Sequence, residues 1–129
     1  MLAKYKPSHR KIAMGLLSYM PEEKDVKVLL ETIRRYEEDE SWRLYLWKQD
    51  DDIVAVAGLF FKDEQHAELQ HLCVNPSYRE EGIGGQLINT LLERLDVKIT
   101  GTDNTQTFLE QCLSDGTKSA DTSSQENEQ

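Results

Sequence analysis

The chain has 129 residues, of which 38% are hydrophobic and 30% charged, proportions typical of one globular domain. Its formal net charge of -9 argues against binding to nucleic acids or to anionic membranes, because both need a dense basic face. A cationic amine would be tolerated near such a surface, whereas a polyanion would need a local basic pocket.

The cysteines and the N-terminus indicate the compartment. No apolar run has the length of a membrane span, and the first residues lack the pattern of a secretory signal. Cys73 falls in an apolar strand and Cys112 on a helical stripe, so we expect core residues in a reducing compartment rather than a disulfide. These observations predict a cytoplasmic protein.

The first third of the chain has helical periodicity after a short, weakly patterned strand in Met1–Lys6. Ser8 is expected to cap a helix that runs to about Tyr19, and Pro21 ends it. Glu22 and Glu23 are expected to open a second helix, where the helix dipole favours negative charge. Its apolar face contains Val26, Leu29, Leu30, Ile33 and Tyr36.

The period then changes to that of an antiparallel meander. Three strands are predicted, at Trp42–Lys48, Ile53–Phe61 and Ala67–Val74, with turns at Asp50–Asp52 and Lys62–Gln65. Three adjacent aspartates resemble a metal site at first sight. We interpret them as a solvated hairpin tip, because cation-binding loops space their ligands around a glycine.

A glycine turn follows the third strand and opens a helix with apolar residues from Ile83 to Leu95. Asp96–Thr100 is predicted as a further strand, and Thr102–Asp103 as the cap of a last helix. From Ser114 onward there are no large apolar residues. We therefore expect a folded domain over residues 1–113 and a disordered acidic tail over residues 114–129.

The segment Arg79–Gly85 has the build of an anion-binding loop. A turn that enters a helix directs several unpaired N–H groups at one point, and glycines let a diphosphate approach the backbone. It is not a Walker loop, since no Lys-Ser or Lys-Thr follows, and a dinucleotide fingerprint belongs to a βαβ unit rather than to a meander. From the glycines alone, a tight strand-to-helix turn remains an equal alternative.

The stretch from Leu72 to Gly84, with Pro76, Arg79 and Gly82 in place, resembles the acetyl-CoA-binding motif of the GCN5-related N-acetyltransferases (GNAT). The resemblance implies an α/β (α+β) fold, in which helices flank a mixed, mostly antiparallel sheet. Here it would have two N-terminal helices and a shortened C-terminal part. It also implies acetyl-CoA as cosubstrate, an amine acceptor that is a small molecule or a protein, no metal, and a monomer or homodimer.

The resemblance assigns residues to the cofactor. The pantetheine arm would pair with the strand at Leu72, Cys73 and Val74. Thr102 stands where the family often has an asparagine that contacts this arm, and Asn104 is close by. The pyrophosphate-binding loop would comprise Arg79, Glu80, Glu81, Gly82, Ile83, Gly84 and Gly85, of which Glu80 through Gly85 supply the main-chain amides. Two acidic side chains in this loop, Glu80 and Glu81, are unusual for the family; if they point to solvent the amides still act, but coenzyme A should bind less tightly than in a basic loop.

Two residues compete for the role of general base. Glu68 matches the position of the catalytic glutamate in the histone-acetylating branch, although it reads equally well as a solvated residue at a strand start. His71 directly precedes the cofactor-binding residues and carries an imidazole, a common general base, although a histidine among apolar residues is more often a core residue. His66, His71 and Cys73 match no familiar metal site.

One feature favours a second hypothesis. The family often carries a tyrosine in its last helix to protonate the leaving thiolate, and Leu109 occupies that position. A catalytically weak or inactive acyl-CoA-binding module is therefore the alternative to an enzyme. A narrower resemblance, to the small acetyltransferase-like subfamily encoded in the riboflavin operon of bacilli, rests on Lys11–Ser18, Met20-Pro21, Glu23–Asp25 and Tyr36-Glu37.

Overall fold

A computed structural model describes residues 1–78 and 81–111. Five strands form one sheet in the order β1-β2-β3-β4-β5, antiparallel except for β4 and β5, which are parallel. The predicted mixed, mostly antiparallel sheet with flanking helices is confirmed. The strands are β1 (Leu2–Lys4), β2 (Trp42–Gln49), β3 (Asp52–Phe61), β4 (His66–Val74) and β5 (Lys98–Gly101), and the helices are α1 (Arg10–Leu17), α2 (Val26–Glu38) and α3 (Ile83–Leu95).

Helices cover both faces of the sheet, so the core has two parts. On one face, α3 buries Ile83, Leu87, Ile88 and Leu91 against apolar residues of β2, β3 and β4. On the other face, α1 and α2 pack on the opposite side of the same strands, with Leu17 and Ile33 among the most buried residues. Burial on both faces explains why β3 is a nearly continuous apolar run.

The helix boundaries differ from the prediction at the N-terminal ends. Ser8 lies inside a short 3₁₀ turn, and α1 begins at Arg10 without a side-chain cap. The second helix begins at Val26, where the Asp25 carboxylate accepts a hydrogen bond from the Lys27 amide. Glu23 instead belongs to a 3₁₀ turn and is buried, because it has polar partners inside the fold.

Other predicted elements keep their type with shifted ends. The Asp50–Asp52 segment is the exposed tip of the β2–β3 hairpin, and Asp50 has a positive φ of 57°. Strand β5 begins at Lys98 rather than Asp96, whose φ of 51° terminates α3. Residues 106–111 are helical, as predicted.

The expected tail, residues 114–129, and Cys112 lie outside the described residues. None of the described helices has the length and apolar content needed to cross a membrane.

Gly58 permits a close contact between α2 and the sheet. A Cβ added to Gly58 would lie 1.8 Å from the hydroxyl oxygen of Tyr36. The Tyr36 side chain is buried in the core beneath α2. The phenol therefore reaches the sheet only because β3 has no side chain at this point.

We expect Gly58→Ala to destabilise the protein by about 1–3 kcal/mol, the usual cost of overpacking a core. Gly15→Ala is the matched control, because a Cβ there would meet nothing within 4 Å and alanine favours a helix by about 0.5–1 kcal/mol. Urea unfolding of both variants measures the difference. Equal stability of the two variants would contradict the close contact.

Candidate functional site

A glycine turn leads into α3. Gly82 is the N-cap residue of α3 and has a φ of 75°, a conformation that favours glycine. Nothing lies within 4 Å of the position that a Cβ on Gly82 would take, so backbone conformation, not crowding, requires glycine here. Gly84 and Gly85 are buried in the first helical turn. The first N–H groups of a helix have no intrahelical acceptor, so this turn presents donors suited to an anion.

The other loop residues predicted to bind the cofactor divide into three groups. Ile83 is buried and anchors the start of α3 in the core. Glu81 is exposed, so its charge is solvated. Arg79 and Glu80 lie outside the described residues.

Strands β4 and β5 part half-way along β4. Their parallel pairing runs from His66 opposite Lys98 to Leu69 opposite Gly101, where β5 ends. Strand β4 continues to Val74, and this continuation carries the predicted pantetheine-binding residues, with Leu72 and Cys73 buried and Val74 half-buried. We call the space between β4 residues 70–74 and the chain that leaves β5 the β4–β5 cleft. It begins where the strand pairing ends.

A β-bulge lies at the same place. On the other edge of β4, His71 pairs with Gly58 and Leu69 pairs with Leu59, so Gln70 is an extra residue on β4. A bulge redirects side chains and breaks the regular ladder. It therefore re-aims the residues of β4 at the point where the cleft opens.

Glu68, the first candidate base, is partly accessible. Its side chain is 26% exposed; one carboxylate oxygen lies 3.6 Å from the Lys62 ammonium nitrogen, and the other accepts a 2.7 Å hydrogen bond from the side-chain amide of Gln70. Because strand side chains alternate, Glu68 lies on the opposite face from Ala67 and Leu69, which pack on the α3 side. Its position leaves a carboxylate near the bulge and within reach of solvent.

His71, the second candidate, is buried in a polar cluster and only 6% exposed. Its Nδ1 lies 2.5 Å from the Tyr36 hydroxyl and its Nε2 lies 3.1 Å from a carboxylate oxygen of Glu23. A neutral ring with its proton on Nε2 satisfies both bonds, since it donates to the carboxylate and accepts from the phenol. Both ring nitrogens are thus engaged within the fold.

Electrostatics favour an ionised carboxylate beside a neutral phenol in this cluster. Burial by itself would raise the pKa of Glu23, but the hydrogen bond from His71 and the nearby Thr32 and Arg35 side chains hold that pKa below its ordinary value. Burial, together with the negative charge of Glu23, raises the pKa of Tyr36 well above its usual range. The hydrogen-bonded cluster of Glu23, His71 and Tyr36 therefore joins the α1–α2 connection, β4 and α2 inside the fold.

The residues after β5 form a hydrogen-bonded turn. The Thr102 hydroxyl lies 3.2 Å from the Asn104 amide nitrogen and 3.2 Å from the Thr105 hydroxyl oxygen, and Asn104 is exposed. Thr105 is fully buried, and its hydroxyl donates to the Leu69 carbonyl at 2.6 Å. This turn places Thr102 next to the point where β4 and β5 part, and leaves Asn104 exposed.

Leu109, which the sequence resemblance predicts to stand where a proton-donating tyrosine is expected, is a core residue. It is buried in the cluster beneath α3, and the neighbouring Phe108 is exposed. Neither side chain can donate a proton. Acid assistance to a leaving group is therefore absent from these two positions.

Known proteins share this sequence pattern. The profile of the acetyltransferase (GNAT) family matches residues 10–107. An uncharacterized N-acetyltransferase in the lysA 3′ region of Bacillus methanolicus is 42% identical over 113 residues, which is 87% of this chain and 94% of the relative. The chain belongs to the acetyltransferase (GNAT) family.

Solved GNAT structures share the fold. A GNAT family acetyltransferase from Elizabethkingia anophelis with acetyl-CoA bound has a TM-score of 0.64 and 19% identity, covering 89% of this chain and 72% of that one. An aminoglycoside 6′-N-acetyltransferase complexed with coenzyme A has a TM-score of 0.63 and 19% identity, covering 74% of this chain. This chain spans only 55% of the length of that aminoglycoside enzyme.

The roles of three residues around the candidate site were not predicted from the sequence: Glu23, Tyr36 and Thr105. Glu23 was assigned to a helix start by its charge and Tyr36 to a helical face by its spacing, and their partner His71 is 48 and 35 residues away. Thr105 is separated from Leu69 by 36 residues. Only an unexplained polar residue at a core position could have signalled them.

Over the described parts of the chain, no group of three or more His, Cys, Asp or Glu side chains is placed to hold a metal ion.

The buried carboxylate predicts a pH dependence of stability. Because the folded-state pKa of Glu23 lies below its ordinary value of 4.5, its stabilisation is complete above that value and is lost as pH falls through the folded-state pKa. The difference in unfolding free energy between wild type and Glu23→Gln should therefore be largest near neutral pH and shrink in acid. Urea unfolding at a series of pH values measures it.

Glu64→Gln in the exposed β3–β4 turn is the control for the loss of one negative charge. A wild-type minus Glu23→Gln difference that stays constant from neutral pH into acid would contradict the stabilised carboxylate.

Proposed function

We propose that this GNAT protein transfers an acetyl group from acetyl-CoA directly to an amine of a small molecule or protein. The observation that carries the proposal is the juxtaposition of two features: β4 parts from β5 at Leu69 and Gly101, and α3 opens with a positive-φ glycine. The extended pantetheine arm of acetyl-CoA needs a strand edge to lie along. Its anionic diphosphate needs a helix start that offers backbone N–H groups.

In the proposed complex the backbone amides of residues 80–85 hold the pyrophosphate, with Arg79 at the start of the loop. The pantetheine arm lies along Leu72, Cys73 and Val74, and the turn at Thr102–Asn104 borders it. Two structural relatives, the enzymes with coenzyme A and with acetyl-CoA described above, support this ligand by their shared fold.

The reaction proposed is direct nucleophilic attack. The amine nitrogen bonds to the thioester carbonyl carbon, giving a tetrahedral oxyanion; the C–S bond then breaks and releases coenzyme A thiolate, while a base takes the amine proton. Backbone N–H groups around Leu72–Val74 would polarise the carbonyl and stabilise the oxyanion, which is usually the largest single contribution to catalysis. No acyl-enzyme is required.

We assign the role of base to Glu68. Its carboxylate is partly exposed on the strand that would hold the thioester, whereas His71 is buried with both nitrogens bonded. A base must reach the proton it removes, directly or through one water. His71 would have to break the cluster with Glu23 and Tyr36 before it could act.

Leaving-group protonation is proposed to be unassisted. Leu109 supplies no proton, but free thiols ionise at a pKa of about 8.5, so a thiolate departs without an acid. Slow turnover is the expected consequence. Binding of coenzyme A without thiol release in the presence of any amine would instead favour the acyl-CoA-binding module.

Further assignments rest on composition. The net charge of -9 favours a cationic amine acceptor over a nucleic acid, and buried Cys73 suits the reducing cytoplasm. We propose membership of the riboflavin-operon subfamily from the N-terminal residues alone, and a monomer or homodimer.

Coenzyme A should stabilise the protein in a thermal-shift assay, whereas ATP should not, because only the former carries an arm that fits the β4–β5 cleft. Gly82→Ala, which adds a methyl group where the diphosphate would lie, should weaken coenzyme A binding about tenfold or more. Gly15→Ala should bind like wild type. Calorimetry provides both affinities, and equal affinity of the folded Gly82→Ala protein would count against the glycine turn as the diphosphate site.

Glu68→Gln should lower kcat by about 10²–10⁴-fold, the range typical of a general base, with little change in coenzyme A affinity. Thiol release from acetyl-CoA with a panel of amines measures kcat. His71→Ala should mainly lower the melting temperature, because it opens the buried cluster. If Glu68→Gln is silent and His71→Ala abolishes turnover in a folded protein, the base is His71.

A further inference from the structure

Parallel pairing between β4 and β5 ends abruptly after four residue pairs. Strand edges present unpaired N–H and C=O groups that favour further pairing. Something in the chain must therefore satisfy the groups next to the last pair, Leu69 opposite Gly101, if the strands are to separate there.

The Thr105 hydroxyl lies between the backbone groups that follow this pair. It accepts a 2.8 Å hydrogen bond from the Thr102 amide, the residue directly after β5, and donates a 2.6 Å hydrogen bond to the Leu69 carbonyl of β4. One hydroxyl thus satisfies one backbone donor and one backbone acceptor and holds them apart. Thr105 is 0% exposed, so solvent cannot replace it.

Gln106, at the start of the helical segment that follows this turn, also bonds to the end of β5. The Gly101 amide donates to the side-chain oxygen of Gln106 at 3.1 Å. A Cβ on Gly101 would lie 2.5 Å from that oxygen, so the two segments pack closely. The direction in which the chain leaves β5 is therefore fixed by side chains of residues 105 and 106.

We propose that Thr105 is a positioning residue for the cofactor: its hydroxyl keeps β5 from pairing further with β4 and so sets the inner end of the β4–β5 cleft. The inference rests on the proposed function, since it assigns Thr105 to the coenzyme A site. The proposed function concerns residues that would contact coenzyme A themselves. Thr105 would instead act on coenzyme A affinity indirectly, through its hydrogen bonds to Leu69 and Thr102.

Three variants and coenzyme A as the probe test this. Thr105→Val keeps the shape and removes the hydroxyl, Thr105→Ser keeps the hydroxyl, and Thr90→Val makes the same change on α3, where the hydroxyl bonds only within its own helix to Gln86. We expect coenzyme A affinity by calorimetry to fall about tenfold in Thr105→Val. It should recover in Thr105→Ser and stay unchanged in Thr90→Val.

A folded Thr105→Val protein that binds coenzyme A like wild type overturns this inference and leaves the proposed function intact. Failure of Thr105→Ser to restore affinity also overturns it. A wild-type protein that does not bind coenzyme A overturns the proposed function and this inference with it.

If Thr105→Val does not fold, amide hydrogen exchange of the wild-type protein still tests whether Thr105 holds the end of β5. The Thr102 amide should exchange much more slowly than the amide of exposed Asn104, because its acceptor is buried. Equal exchange rates overturn the proposal.

Discussion

The polar backbone groups of β4 need partners along the whole strand, although the strand loses its neighbour β5 half-way. Pairing with β3 runs from Ala67 to Val74, whereas pairing with β5 stops at Leu69. A bulge at Gln70 and the Thr105 hydroxyl meet at this point. They let the strands separate without leaving the Leu69 carbonyl unsatisfied in the core, and the remaining features of the candidate site are arranged around that separation.

The helical layer is tied to the same strand by polar bonds as well as by apolar packing. Glu23, His71 and Tyr36 come from the α1–α2 connection, β4 and α2, and they bond to one another out of solvent. Apolar contacts alone tolerate small rotations of a helix, whereas hydrogen bonds have narrow distance and angle limits. Gly58 is part of this arrangement, since its missing side chain admits the phenol. The cluster therefore fixes the helical layer relative to the strand on which Glu68 and the bulge lie.

The fold was largely predictable because its elements have clear periods. The alternation over Trp42–Lys48, the apolar run at Ile53–Phe61 and the helical spacing before Tyr36 each reflect local burial, which a sequence window contains. The glycine turn was predictable for a related reason, since Gly82 adopts a conformation that few other residues allow. The start of α2 was not, because Glu23 looks like a favourable first-turn residue and its actual partner lies 48 residues away.

The same limit applies within the site. Position 105 follows a predicted cap and reads as an ordinary helix residue, so nothing local reveals that its hydroxyl reaches Leu69. Glu68 and His71 were both proposed as bases from their place on the strand. Their different burial, which decides what each can reach, depends on the Gln70 bulge and on partners from other elements, and neither is visible in a short stretch of sequence.

The buried bond to Glu23 also limits how far the α1–α2 connection can move. Glu23 lies near the middle of the connection between α1 and α2, where its amide also donates to the Met20 carbonyl, and Asp25 holds the other side by capping α2. A connection held at its centre cannot swing over a substrate as a hinged lid does. Any induced fit at this end of the molecule would first have to expose a carboxylate and an imidazole. The α1–α2 connection is therefore expected to keep one shape in solution and to form a fixed part of the molecular surface.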